Sequence, residues 1–185
     1  MSVSRFCEWL AQTPGSIALH ESLYMYPLVE SVHVLTLCLF VGLAAVLDLR
    51  LLGVTLRRVP VSELAARLLP FIAAGFVVMI ATGSLLFYAI PVRSFHNVFF
   101  RAKMIMLVLA GLNAWVFHGR VYRRVFDWDL APIAPSAARI GGALSLVLWA
   151  AIIVSGRMIA YNWFDCDKPQ PAIVVWAAGC GAYSR

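Results

Sequence analysis

YPLVESVHVLTLCLFVGLAAVLDLRLLG, residues 26–53, decides the fold. It is long and apolar enough to cross a bilayer, for which about 20 apolar residues suffice. Yet it carries Glu30 and His33 near its start and Asp48 and Arg50 near its end. Ionisable groups inside a span are costly and face the interior of a bundle or a polar cavity. A helix that keeps a carboxylate and an imidazole one turn apart therefore raises the question of a bound cofactor.

The rest of the chain has the same character. Of its 185 residues 62% are hydrophobic and only 13% charged, against roughly a quarter charged in soluble domains. The mean hydropathy is +0.85. The net charge of +6 comes from arginines clustered at the ends of apolar runs. It therefore reads as membrane topology and lipid contact, not as a nucleic-acid surface. Four segments qualify as spans, at about 23–47, 68–90, 98–121 and 140–161. Pro70 is expected to open the second, where a missing amide donor is tolerated. The segment FDWDLAPIAPS reads as a polar loop, and residues 172–179 are too short to cross. The expected fold is an all-α membrane protein, a single domain built as an antiparallel four-helix bundle. Residues 1–22 should form an interfacial segment whose short helix ends at Pro14-Gly15, and 162–185 a tail. Arg50, Arg57, Arg58, Arg67, Arg120, Arg123, Arg124 and Arg139 fall in the loops of one side. Taking that side as cytoplasmic puts both termini in the periplasm of a bacterial inner membrane. Cys166 and Cys180 then lie in an oxidising compartment, where a disulfide and two free thiols are both open. No CxxC, CxxCH or zinc-type spacing occurs, which disfavours covalent haem attachment and structural zinc.

At 100° per residue, Glu30, His33, Leu37, Val41, Ala44 and Asp48 share one face of the first span. Small Gly42 and Ala44 would admit a neighbouring helix or a flat cofactor. Glu30 can accept a hydrogen bond from His33 or bind another helix. In the third span Lys103, Met106, Ala110 and Ala114 share a face, flanked by Asn113 and His118, while Asn97 after His96 reads as a helix cap. In the fourth span, Arg157 lines up with Leu146, Ala150 and Ile153. A b-type haem suits such a bundle, because it needs axial ligands and basic partners for its propionates. His33 is the expected ligand. At 1.5 Å per residue it lies about 14 Å from Tyr24, whereas His118 lies about 30 Å from Val98, so these two do not meet at one iron in a regular bundle. The second ligand stays open among Lys103, Met104, Met106, His96, His20 and His118, or is absent. Arg93, Arg101 and Arg157 are the expected propionate partners.

Three stretches carry a resemblance: ESLYMYPLVESVHVLTLCLFVGLAAVLDLRLLG, FHNVFFRAKMIMLVLAGLNAWVFH and SGRMIAYNW. Together they resemble an uncharacterised family of bacterial four-span membrane proteins, over most of residues 20–163. More distantly, the HxLxLxxFVG pattern at His33 and the stretch from Lys103 to His118 are similar to HemJ-type protoporphyrinogen oxidases and CopD-type copper-resistance proteins. The HemJ likeness implies a haem, with an essential histidine and lysine at the positions of His33 and Lys103. The leading expectation is a b-haem subunit that moves electrons between a redox partner and membrane quinone, within a complex of membrane or periplasmic subunits and with Tyr161 and Trp163 as a possible docking place. The alternatives are a cofactor-free anchor or accessory subunit and a HemJ-like porphyrinogen oxidase. Whether the chain is itself an enzyme stays open. No Met-x-x-Met or Cys/His ladder supports copper transport, and one Glu-x-x-His is half of what a di-iron bundle needs.

Overall fold

The computed structural model describes residues 3–161, 166, 169, 171–178 and 180. Among these are eight α-helices and no strand: α1 Val3–Ala11, α2 Pro14–Glu21, α3 Met25–Leu51, α4 Val61–Ala89, α5 Pro91–Phe95, α6 Val98–Val116, α7 Ser136–Ala160 and α8 Ala172–Ala178. A π-helical turn, Phe117–Val121, and a 3₁₀ turn, Tyr122–Asp127, continue α6. Four helical stretches are long and apolar enough to cross a membrane: α3, α4, α7 and α6 with its continuation to Asp127. Their exposed residues include Leu35, Val77, Val108, Trp115 and Val147, a surface suited to lipid.

One expected boundary moves, and the N-terminal segment gains a helix. Pro70 lies inside α4 and does not open it, because the helix begins at Val61. Polar contacts account for the added turns. Asp129 accepts hydrogen bonds from the Ser62 amide and hydroxyl, and Glu63 pairs with Arg67 at 2.7 Å, the favourable one-turn spacing. The first N-terminal helix ends at Ala11, ahead of Pro14-Gly15 as expected, and that pair also opens a second helix. Thr13 caps that helix by accepting from the Ser16 amide at 3.4 Å, and Pro14 takes the first-turn position where no amide is needed.

The described residues fall into two compact units. Unit 1 comprises the described residues within 1–33, 80–105 and 152–185, and unit 2 comprises 34–79 and 106–151. Unit 1 is held by specific polar and covalent links. Helix α1 packs on α5. Thr13 shares a 2.8 Å hydrogen bond with the Tyr88 hydroxyl, and the Ser16 hydroxyl donates to the Tyr88 carbonyl at 2.7 Å. Asn97 caps α6 by accepting from the Phe99 and Phe100 amides at 2.9 and 3.2 Å. The same helix start aims basic groups at α8. Arg101 donates to the Ala177 carbonyl at 2.7 Å and to the Phe95 carbonyl at 2.9 Å. Buried His96 donates through Nδ1 to the Ala178 carbonyl at 3.2 Å. Cys166 and Cys180 close the tail as a disulfide, with sulfurs 2.09 Å apart.

Unit 2 has an apolar core of Leu51, Val61, Val125, Ala134 and Ala138, with Leu47, Phe117 and Trp128 packed against it. One fully buried cation stitches its loops. The guanidinium of Arg50 donates to the carbonyls of Val59 at 2.8 Å and Ala131 at 3.3 Å. Gly53, at φ +71°, turns the chain out of α3 in the left-handed conformation that glycine adopts without strain. Close helix approach falls at Gly142, where a Cβ would sit 3.2 Å from the Asp48 carbonyl, and at Gly75, against Phe40. Gly42, the expected approach point, has nothing within 4 Å of such a Cβ.

Candidate functional site

His33 lies in unit 1, half-buried on α3. Its Nδ1 is 2.8 Å from the Thr82 hydroxyl on α4. A Cβ on the next residue, Gly83, would come 3.3 Å from His33 Cε1, so glycine leaves the imidazole its place. Thr82 and Gly83 thus form a seat for one edge of the ring. Nε2 makes no hydrogen bond among the described residues. When Nδ1 carries the proton and donates to Thr82, Nε2 presents its lone pair, the arrangement used by metal-ligating histidines.

Lys103, half-buried on α6, lies within electrostatic reach of His33. A Cβ at Gly156 would stand 3.9 Å from its ammonium nitrogen. Residues of α3, α4, α6 and α7 therefore meet in this part of unit 1. Glu30 is exposed, makes no hydrogen bond among the described residues and lies near Tyr26, as does Arg93. The partner of the His33 ring is Thr82, which sequence reading did not single out. Its only signal there was a polar residue beside a glycine, in ATGS at 81–84, inside an apolar span.

The other named residues are dispersed. His96 and Arg101 hold α8, with the Arg101 guanidinium 4.8 Å from the centre of the Phe95 ring. Exposed Arg157 donates to the Tyr161 hydroxyl at 2.7 Å and lies over that ring. His20 is exposed in the last turn of α2, and Met104 is exposed on α6. Met106 and His118 belong to unit 2, where exposed His118 stacks on Tyr122 with ring centres 5.2 Å apart. Trp163 lies outside the described residues. Among the described residues, no cluster of three or more His, Cys, Asp or Glu side chains is placed to hold a metal ion.

Unit 2 holds a second polar feature. A cavity of about 430 Å³ is lined by residues of all four long helices, including Phe40, Phe76, Trp149, His118 and Asp48. Asp48 is only 8% exposed, and its Oδ2 has no hydrogen-bond partner. Leaving a buried acceptor unpaired costs about 1–3 kcal/mol. Sequence reading placed Asp48 at the polar end of the first-span stripe, but an i, i+4 pattern does not reveal a cavity between helices.

A family model described as a family of unknown function, DUF6644, matches residues 7–162. No curated protein and no solved structure matches the chain.

Proposed function

The chain belongs to the DUF6644 family, whose function is unknown, and we propose from its own residues that it is a b-type haem-binding subunit of the bacterial inner membrane that passes electrons between a redox partner and the quinone pool. The observation that carries this reading is the seating of His33. One ring nitrogen is engaged by Thr82, the other makes no hydrogen bond among the described residues, and Gly83 leaves room for the ring. That donor set suits haem iron, which one or two protein ligands hold. Haem would supply a one-electron carrier. His33 would hold it, Thr82 would fix the tautomer, and Lys103 on α6 would be the further group suited to help hold it. Arg157, steadied by Tyr161, is suited to pair with a propionate. In this reading the spans form an antiparallel bundle, α1 lies at the membrane interface, and both termini face the periplasm. The Cys166–Cys180 disulfide suits that oxidising side.

Absorption spectra of gently purified protein, before and after dithionite, test the reading. The expected result is a Soret band with reduced α and β bands, lost or strongly shifted in His33→Ala. Absence of a Soret band from haem-replete preparations overturns it. An unchanged reduced spectrum in His33→Ala removes His33 as ligand. A porphyrinogen-oxidation assay on the same protein tests the oxidase alternative.

A cofactor-free accessory subunit is the second reading, and the tail favours it. Ile173 and Trp176 on α8 are 74% and 83% exposed, although α8 is clasped by Arg101 and His96 and lies within the disulfide loop. A rigidly held aromatic is suited to docking on a partner subunit. Co-purification of a membrane partner that Trp176→Ala releases, from protein without haem, would establish this reading over the first.

A further inference from the structure

The cavity of unit 2 lies outside the His33 site and has its own chemistry. Its volume of about 430 Å³ falls in the range of small-molecule sites, about 300–1,000 Å³. Phe40, Phe76 and Trp149 supply flat carbon walls, and Phe40 meets Trp149 edge to face with ring centres 4.7 Å apart. Within this lining Asp48 is buried; the Ser145 side chain hydrogen-bonds its carboxyl group, and Oδ2 is left unpartnered. Asn113, another polar residue of the lining, is already committed to the Gly141 carbonyl at 3.0 Å. His118, on the π-helical turn, adds an imidazole to the same lining. Such turns concentrate at functional sites.

These features select a ligand. The unpaired acid oxygen calls for a hydrogen-bond donor, aromatic walls call for a flat ring, and a cavity among membrane-spanning helices calls for lipid solubility. A hydroquinone meets all three, carrying a hydroxyl at each end of an apolar ring. We propose that this cavity binds the head group of a membrane quinol, with Asp48 accepting a hydrogen bond from one ring hydroxyl. The choice of a quinol rests on the electron-transfer reading above, whereas the cavity and its unpaired acid do not.

The test is titration of the full chain in phosphatidylcholine nanodiscs with decylubiquinol, followed by tryptophan fluorescence. Saturable quenching is expected, most of it lost in Trp149→Phe. Asp48→Leu should weaken binding at least tenfold. Ala73→Phe, which fills the cavity from another helix, should abolish binding and provides a second check should Asp48→Leu fail to fold. Equal affinity in the unaltered chain and in a folded variant of either kind overturns the proposal. So does loss of quinol binding when phosphatidylethanolamine replaces phosphatidylcholine, which assigns the cavity to an amine-headed lipid. Spectra on the same samples separate the two readings. Quinol binding without a Soret band overturns the haem assignment alone, and a haem spectrum without quinol binding overturns this site alone.

Discussion

Units 1 and 2 draw on the same long helices but are held by different forces. In unit 1 the described contacts include side chains reaching backbone carbonyls, shared hydroxyls and a disulfide. In unit 2 an apolar core surrounds one buried arginine. The polar groups of α3 follow the same division. His33 finds a hydroxyl partner across a close helix contact, while Asp48, about four turns further on at 3.6 residues per turn, lines a cavity with one oxygen unpaired. Both groups lie where a neighbouring helix comes close, but the Thr82 hydroxyl meets His33 whereas Gly142, close against the Asp48 backbone, has no side chain to offer Oδ2.

Four experiments test that contrast, in decreasing order of expected effect. Arg50→Ala should be the most damaging, because it strands the Val59 and Ala131 carbonyls inside unit 2. A loss of about 3 kcal/mol is expected from two buried unpaired acceptors, read as a fall in the thermal midpoint in detergent. Arg50→Lys should restore little of it, since one ammonium lacks the forked geometry. A variant of normal stability would show that the cation is not what holds those loops.

Opening the bridge by Cys166→Ser with Cys180→Ser should cost about 2–3 kcal/mol for a loop of this size. The effect should stay within unit 1 and appear first as proteolysis near α8. Cleavage elsewhere, with α8 protected, would mean that Arg101 and His96 suffice to hold it.

Thr82→Val removes the hydroxyl beside His33 at nearly constant volume. On the proposed haem reading this bond would support the ligand, and such bonds are typically worth about 10–100-fold in metal affinity, so haem retention should fall while the helices stay folded. Retention equal to that of the unaltered chain would reduce Thr82 to a packing neighbour.

The smallest effect concerns Cys7. Burial, aided by the neighbouring Glu8 charge, pushes its thiol above the ordinary cysteine value. The thiolate fraction at pH 8 is therefore lower than for a free cysteine, and maleimide should label Cys7 slowly until the pH is raised or the protein is unfolded. Rapid labelling at pH 8 would show that the α1–α5 contact opens readily.

Much of the architecture was legible in the residues. Hydropathy accumulates along the chain, so the membrane character and all four spans could be read from local composition. Helix starts were less legible. Val61 begins α4 because Asp129, distant in sequence, meets Ser62, and Pro14 opens α2 because Thr13 caps it. Helical periodicity put His33 and Asp48 on one face of the first span, and the structure brings Lys103 within electrostatic reach of His33. What that periodicity could not supply was a partner. Thr82 lies 49 residues from His33, and the Gly83 seat and the cavity beside Asp48 depend on which helix faces which and how closely. The sequence by itself therefore determined that the chain has four helices long and apolar enough to cross a membrane, with ionisable groups in them. Only the tertiary structure decided which group is hydrogen-bonded and which is left over a cavity, because hydrophobicity adds up along a helix while hydrogen bonding and packing depend on distances between helices.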